Sequence, residues 1–204
     1  MIFNFEELKT DTLKDIKGVI HVGGHRGQEY DEYKKLEVPI LFFEPLPMNY
    51  QYLSEKTKED LNTLAFQCAL GNENKKVVMN VETANQGQSS SILKPKKHLE
   101  QYPHITFDFT VEVDMFRLDD IAVDTSLYNF MNVDVQGYEL EVFKGAAETL
   151  KTVDYIISEV NCDEVYEGCP HVSEIDAFLS EYGFERIKTD WAGVTWGDAL
   201  YVKK

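Results

Sequence analysis

The sequence is poor in basic residues. It contains 20 Lys and Arg against 36 Asp and Glu, which gives a formal net charge of -16 at pH 7. Such a charge repels the phosphate backbone of nucleic acids, and the densest basic cluster is only Lys94, Lys96 and Lys97. We therefore expect no nucleic-acid partner.

Long apolar runs and paired cysteines are also missing. The apolar runs have the length of strands and fall well short of the roughly 18 residues of a membrane span. The segment from Met1 to Lys9 lacks the basic-then-apolar order of a signal peptide. The 3 cysteines form no C-x-x-C pair and leave one odd thiol, as is common in a reducing compartment. We expect a protein without membrane association that is cytoplasmic, in a cell or, if viral, in an infected host cell.

The length of the chain limits its domain organisation. With 204 residues, of which 43% are hydrophobic, it can bury one full core. It is too short for a dinucleotide-binding domain followed by a separate substrate domain. We expect one domain over residues 1–204, with an N-terminal helix within residues 1–17.

Strand patterns alternate with helix patterns along most of the chain, which favours a parallel sheet with right-handed crossovers. Inserted β segments and a loop at residues 74–116 interrupt this alternation after the third strand. Two β segments at the end of the chain predict a hairpin. The predicted fold is α/β: a single Rossmann-like domain with a mostly parallel seven-stranded sheet, a C-terminal antiparallel hairpin and a β insertion after strand three. Among the predicted elements are a third strand from Thr63 to Ala69 and helices from Phe5 to Asp15 and from Glu139 to Leu150.

A glycine-rich turn follows the first predicted strand. The apolar run from Val19 to Val22 leads into the turn Gly23 to Gly27, and the second strand ends on Glu44. Small residues allow the backbone to approach an adenosine-containing cofactor, and an acid on the next strand accepts hydrogen bonds from the ribose hydroxyls. The spacing G-x-x-x-G, with His21 upstream, matches S-adenosylmethionine (SAM) enzymes better than the G-x-G-x-x-G of nicotinamide and flavin enzymes. The alternative is a tight turn that needs glycine for its positive φ angle and binds nothing.

The run from Asn132 to Ala146 resembles the D-x-E-G-x-E-x-x-x-L-x-G-A signature of the FkbM-type SAM-dependent methyltransferases. Further landmarks follow in the family's order between residues 18 and 185, among them the glycine turn and Glu44-Pro45. Two positions depart from the pattern: Gln136 replaces the usual glutamate, and His21 replaces the commoner aspartate. The resemblance implies a class I methyltransferase fold and an enzyme that methylates hydroxyl groups, most often of sugars or polyketide-like natural products.

The carboxyl ends of the parallel strands meet at one rim of an open α/β sheet, where ligands bind. We therefore expect the residues that follow the strands to form the SAM site. The predicted cofactor-binding residues are His21, Gly23, Gly24, His25, Gly27, Glu44, Pro45, Cys68, Ala69, Leu70 and Asp134.

Two carboxylates are candidates for the catalytic base, which must take the proton of the acceptor hydroxyl. Asp134 ends the fourth strand beside the expected methyl donor and is the first candidate, and Glu159 is the second. The alternatives are a helix N-cap for Asp134 and an ion pair with Arg or Lys for Glu159. These acids and Asp163 are hard oxygen ligands of the kind that magnesium prefers. We expect no metal at this site.

The acceptor is expected to lie against the insertion, chiefly residues 85–92, because amides and hydroxyls there match the hydrogen-bonding needs of sugars. The alternative is a flexible polar loop. The predicted substrate-binding residues are Gln86, Ser89, Ser90, Ser91, Gln136, Asn161, His171 and Trp191. The expected partner is a small-molecule or glycan acceptor, and the protein is expected to be a monomer or homodimer. Two other functions remain open at this point: a nucleotide-dependent oxidoreductase on the same scaffold and a non-catalytic SAM-binding module.

Overall fold

The structure is a computed structural model that describes residues 2–204. Its helices are α1 (Phe5–Asp11), α2 (Tyr30–Lys34), α3 (Pro47–Thr57), α4 (Lys97–Gln101), α5 (Glu139–Lys144) and α6 (Val172–Ser180). Its strands are β1 (Val19–Val22), β2 (Ile40–Phe43), β3 (Thr63–Phe66), β4 (Ala69–Leu70), β5 (Lys75–Glu82), β6 (Phe107–Phe116), β7 (Phe130–Val133), β8 (Tyr155–Asn161), β9 (Phe184–Ala192) and β10 (Trp196–Lys203).

The larger sheet has seven strands in the order β3-β2-β1-β7-β8-β10-β9. The five strands from β3 to β8 run parallel, whereas β10 pairs antiparallel with both β8 and β9. This arrangement confirms the predicted α/β fold with a mostly parallel sheet and a C-terminal hairpin. The strand order reverses between β1 and β7, so a crevice opens at the carboxyl ends of these two strands.

Both faces of the larger sheet are covered. On one face Val22, Phe43 and Val133 belong to a core with residues of α5 and α6. On the other face Phe42 and Phe130 pack with residues of α1 and α2. Burial of β1, β2 and β7 on both sides explains why their sequences are continuous apolar runs rather than alternating patterns.

The insertion forms a second sheet of three strands in the order β4-β6-β5. Val77, Met79 and Val81 point inward from β5 and pack with Val113 and Met115 of β6. The sheet also includes Ala69 and Leu70, which pair with Met115 and Phe116. The predicted third strand therefore ends early, at Phe66, and its predicted last residue, Ala69, belongs to the second sheet instead.

Two predicted helices are shorter than expected. The helix α1 ends at Asp11 instead of Asp15. The helix α5 ends at Lys144, and the next residue, Gly145, packs against another chain segment: a Cβ atom on Gly145 would be 1.9 Å from the carbonyl oxygen of Gly71. Within residues 2–204, no helix is long and apolar enough to cross a membrane.

Candidate active site

A cavity of about 560 Å³ lies in the crevice between β1 and β7. Residues that follow β1, β2, β3 and β7 line it, and the second sheet and the loop at residues 83–91 contribute further walls. The volume is in the range of small-molecule binding sites, roughly 300 to 1,000 Å³.

The glycine turn lets two strands approach closely beside this cavity. The amides of Gly23 and Gly24 both donate to the carbonyl oxygen of Phe43, at 2.9 and 3.0 Å. Gly23 has a φ of 85°, and a Cβ atom there would be 1.8 Å from the carbonyl oxygen of Asp134. No side chain is compatible with this position, so the turn needs glycine for its packing as well as for its φ angle.

Glu44 is a buried carboxylate in the wall of the cavity. Its Oε2 accepts a hydrogen bond from the His25 amide at 2.9 Å, and its Oε1 accepts one from the Leu46 amide at 2.8 Å. Burial raises the pKa of Glu44 to about 7. Each carboxylate oxygen can accept more than one hydrogen bond, so the group can also receive those of two neighbouring hydroxyls.

The His25 side chain connects the glycine turn to the insertion. Its Nδ1 accepts a hydrogen bond from the side-chain amide of Gln28 at 2.6 Å, and its Nε2 donates to the backbone carbonyl oxygen of Gln86 at 2.9 Å. This assignment corresponds to a neutral ring, with the proton on Nε2. Arg26 adds a second connection, from Nη1 to Oε1 of Gln86 at 2.7 Å. Both ring nitrogens of His25 thus have a partner, and the Nε2 contact positions the loop.

The predicted cofactor-binding residues fall into two groups. The cavity is lined by His21, Gly23, His25, Glu44, Pro45, Cys68, Ala69, Leu70 and Asp134. Gly24 and Gly27 lie behind it, where added Cβ atoms would be 2.8 Å from the Phe42 ring and 2.9 Å from Leu53. These two glycines allow β2 and α3 to pack closely against the turn. Burial raises the pKa of the Cys68 thiol to about 12, so this wall is neutral at physiological pH.

Asp134 and Glu159 are joined through the amide of Gln136. The Gln136 Nε2 donates to Oδ1 of Asp134 at 2.8 Å and to Oε2 of Glu159 at 2.7 Å. All three side chains line the cavity. Burial, together with the charges of Asp134, Glu139 and Asp198, raises the pKa of Glu159 well above its usual value. The cavity wall therefore contains a carboxyl group with a raised pKa, linked through one amide to a second carboxyl group.

Further contacts fix the conformation of Gln136. Its φ is 57°, in the left-handed region that non-glycine residues rarely adopt. The Tyr166 hydroxyl is 2.8 Å from its Oε1, and the Ser91 hydroxyl donates to its carbonyl oxygen at 2.7 Å. The surrounding residues thus direct the amide toward the two acids.

Neither alternative role for the two acids matches the observed contacts. The N-cap of α5 is Tyr138 rather than Asp134, and Glu139 from the first turn accepts from the amides of Val135 and Gly137 at 3.1 and 3.0 Å. Glu159 accepts its hydrogen bond from Gln136. Among residues 2–204, neither acid forms an ion pair with Lys or Arg.

The loop at residues 83–91 is held at several points. Glu82 is buried and accepts from the amides of Asn85 and Gly87, the latter at 3.0 Å, while its own amide donates to Ser90 at 3.0 Å. Among the predicted substrate-binding residues, Ser89, Ser90 and Gln136 line the cavity. Gln86 and Ser91 instead hold the loop in place through the contacts described above.

Three predicted substrate-binding residues lie outside the cavity lining. Asn161 is buried at the end of β8, where its backbone bridges to that of His171. His171 is the N-cap residue of α6, and its amide donates to Glu174 at 2.9 Å. Trp191 is half exposed on the edge strand β9, and Trp196 of the neighbouring strand lines the cavity in its place.

Sequence reasoning missed several residues that line the cavity, above all Asp198 and His98. Asp198 is 3% exposed and accepts a hydrogen bond from the Ile2 amide. Burial raises its pKa to about 6. The available signal was an aspartate inside an otherwise apolar strand. The sequence around His98 carries no comparable signal.

Within residues 2–204, no group of three or more His, Cys, Asp or Glu side chains has a geometry that could hold a metal ion. Asp163, the third acid considered as a magnesium ligand, forms an ion pair with Lys97 on the surface.

The chain matches the Methyltransferase FkbM domain over residues 21–186, which confirms the resemblance seen in the sequence. A curated relative, the 2-O-methyltransferase NoeI of Sinorhizobium fredii (strain NBRC 101917 / NGR234), is 27% identical over 163 residues. That alignment covers 74% of this chain and 65% of the relative.

Solved structures show the same fold at low sequence identity. A putative S-adenosylmethionine dependent methyltransferase from Listeria monocytogenes has a TM-score of 0.59 and 12% identity, with 98% of this chain and 97% of that chain covered. The magnesium protoporphyrin IX methyltransferase of Synechocystis PCC 6803, solved with bound SAM, has a TM-score of 0.52 and 10% identity, with 91% and 69% covered.

Proposed function

The chain belongs to the FkbM methyltransferase family, and from this premise we propose that it is a SAM-dependent O-methyltransferase. The acceptor is a hydroxyl group of a sugar, a glycan or a glycosylated small molecule. One observation carries the proposal: a single cavity contains both Glu44, suited to a ribose, and the linked acids Asp134 and Glu159.

The residues present fit SAM. Gly23 leaves no room for a side chain beside the cavity, and the two backbone hydrogen bonds to Glu44 orient its carboxylate for a pair of vicinal hydroxyls. The neutral wall of Cys68, Ala69 and Leu70 suits the adenine ring. When bound, SAM supplies a methyl group on a positively charged sulfur.

The protein residues position the acceptor and receive its proton. Asp134 accepts the proton of the acceptor hydroxyl, and Gln136 keeps Asp134 and Glu159 in fixed positions through its two hydrogen bonds. Positioned acid–base catalysis typically contributes about 10²- to 10⁴-fold in rate. The cavity also holds the reactants in line, which contributes roughly 7 to 11 kcal/mol when the geometry is favourable.

Two features support a hydroxyl acceptor. The curated relative is named as a 2-O-methyltransferase. In addition, Ser89, Ser90 and Gln88 line the cavity with groups that both donate and accept hydrogen bonds, as sugar hydroxyls require. Family membership disfavours the oxidoreductase alternative, and the linked acids favour catalysis over a non-catalytic binding module.

The test uses SAM with an isotopically labelled methyl group and a panel of mono- and oligosaccharides. We expect an O-methylated product with the native protein. We expect Asp134→Asn to reduce turnover about 10²- to 10⁴-fold and to leave SAM affinity within a few-fold. The matched control is Asp163→Asn, an acid outside the cavity, which should leave turnover unchanged. Full activity of Asp134→Asn would assign the proton to Glu159, and equal losses of SAM binding and turnover would make Asp134 a cofactor ligand.

A further inference from the structure

The lining of the cavity has an unusual charge distribution. Five acids line it, namely Glu29, Glu44, Asp134, Glu159 and Asp198, and no Lys or Arg of residues 2–204 does so. The proposed function accounts for Glu44 at the ribose and Asp134 as the base. It does not explain why Asp198 is placed beside Glu159.

Glu159 and Asp198 are direct neighbours on adjacent strands. They occupy paired positions of β8 and β10, so their side chains lie on the same face of the sheet. Burial and the neighbouring charge of Asp198 raise the pKa of Glu159, because two negative charges directly opposite each other are unfavourable. Within the described chain, Glu159 accepts a hydrogen bond from Gln136, and Asp198 accepts from the backbone amides of Ile2 and Phe3, which are neutral groups. A cation between the two acids would remove the repulsion.

Aromatic side chains line the same part of the cavity. The Trp196 indole, two residues before Asp198 on β10, donates to the Tyr102 hydroxyl at 2.9 Å. The Tyr166 hydroxyl contacts Gln136, which in turn contacts Glu159. Aromatic faces attract cations and also pack against sugar rings.

His98 connects these aromatic residues and has an unused polar atom. Its ring is 5.1 Å from that of Tyr102 and 5.5 Å from that of Tyr166. The residue is only 5% exposed and lines the cavity, yet among residues 2–204 its Nδ1 has no hydrogen-bond partner. A buried polar atom without a partner is costly, so its place at the cavity indicates a polar ligand.

We propose that the acceptor is an amino sugar whose protonated amine is bound by Glu159 and Asp198. The sugar ring packs against the aromatic residues, and a hydroxyl near the amine is methylated. A protonated amine has no free electron pair, so the methyl group is transferred to oxygen. This inference rests on the proposed function for the hydroxyl transfer, whereas the binding of the cation can be measured separately.

The binding test uses protein saturated with S-adenosylhomocysteine and three sets of matched sugars. Glucosamine, galactosamine and mannosamine are each compared with the N-acetylated form and with the parent neutral sugar by titration calorimetry. We expect at least one amine to bind about tenfold or more tightly than both of its neutral counterparts. Added salt should weaken binding of the amine and leave binding of the neutral sugars unchanged.

Two variants test whether these two acids bind the protonated amine. Asp198→Asn and Glu159→Gln keep an oxygen that accepts the existing hydrogen bond but remove the charge. Each should weaken binding of the amine about tenfold and leave affinity for S-adenosylhomocysteine within about twofold. Asp163→Asn is the matched control and should change neither. Thermal melting verifies that each variant is folded.

The outcomes separate this inference from the proposed function. If the amine binds selectively but no labelled methyl group reaches its hydroxyls, the cation site formed by Glu159 and Asp198 holds and the proposed function fails. If neutral sugars bind equally well and are methylated, the proposed function holds and the inference is wrong. The inference is also wrong if the two variants weaken binding of S-adenosylhomocysteine instead of binding of the amine, because the acids would then bind the cofactor.

Discussion

Glu44 is held by two backbone amides rather than by a basic side chain. Since burial raises its pKa to about 7, the free protein holds this group close to its midpoint of protonation at neutral pH. Hydrogen bonds from ligand hydroxyls favour the ionised form. The carboxylate is therefore prepared for a ligand that supplies the missing donors.

We expect Glu44→Ala to weaken SAM binding by about 1.5 to 3 kcal/mol, the contribution of hydrogen bonds to a charged group. Glu44→Gln retains one oxygen acceptor and should lose less. Titration calorimetry with SAM measures both. An unchanged dissociation constant for Glu44→Ala would remove this residue from the cofactor site.

The pH dependence of activity can show whether Gln136 acts on the two carboxylates or only supports the local structure. Gln136→Met removes the two donors that stabilise the carboxylates, and Gln136→Glu adds a third negative charge beside them. Both changes favour protonation of the base. The acidic limb of the pH profile of kcat/KM should therefore move to higher pH in both variants, while SAM affinity stays within a few-fold. A lower rate with an unshifted profile would mean that Gln136 is only structural.

At the residue scale, sequence reasoning located the acids that follow parallel strands and missed those that depend on the hairpin. Asp134 and Glu159 are near the ends of apolar strands, where the rim of the sheet could be inferred. Asp198 reaches the same place only because β10 pairs antiparallel with β8, in a register that the sequence does not specify. For the same reason, the sequence does not show which of Trp191 and Trp196 lines the cavity.

At the element scale, tertiary contacts rather than local propensity set several boundaries. The third strand is interrupted because Ala69 and Leu70 pair with β6, which is distant in sequence. The helix α5 ends where Gly145 meets Gly71. Periodicity predicts that these elements exist but does not contain such long-range contacts.

The loop at residues 83–91 offers a test at this scale. Replacing residues 86–90 with a Gly-Ser linker changes the polar loop segment that carries Ser89 and Ser90 and removes the contact of the Gln86 side chain with Arg26. We expect a raised KM for the acceptor or loss of transfer. SAM binding should change less, because the hydrogen bonds that Glu44 accepts from the His25 and Leu46 amides lie outside the loop. The same sugar methylated at the same efficiency would show that the loop does not bind the acceptor.

At the scale of the whole molecule, the site places several acids in a buried environment without a balancing cation from Lys or Arg in residues 2–204. Burial raises the pKa values of Glu44 and Glu139 to about 7 and that of Asp198 to about 6. Between the unfolded and folded pKa values, the folded protein binds more protons than the unfolded chain. These acids therefore lower the free energy of unfolding as pH rises through this range, and the lowered pKa values of the buried His21 and His98 oppose part of this change.

We expect the ligand-free protein to be more stable at about pH 5 than at about pH 8. Denaturant unfolding at a series of pH values measures this. Glu139→Gln keeps an oxygen for the amides of Val135 and Gly137 but cannot ionise, so its stability should depend less steeply on pH. Stability that rises between these pH values would contradict the raised pKa values.

The most direct test of the proposed role of the cavity, as the site of SAM binding and methyl transfer, is a crystal structure of the protein with S-adenosylhomocysteine. We expect both ribose hydroxyls within hydrogen-bond distance of Glu44, and the sulfur directed toward Asp134 and Glu159. A ribose bound away from Glu44, or a sulfur facing away from the two acids, would contradict the account.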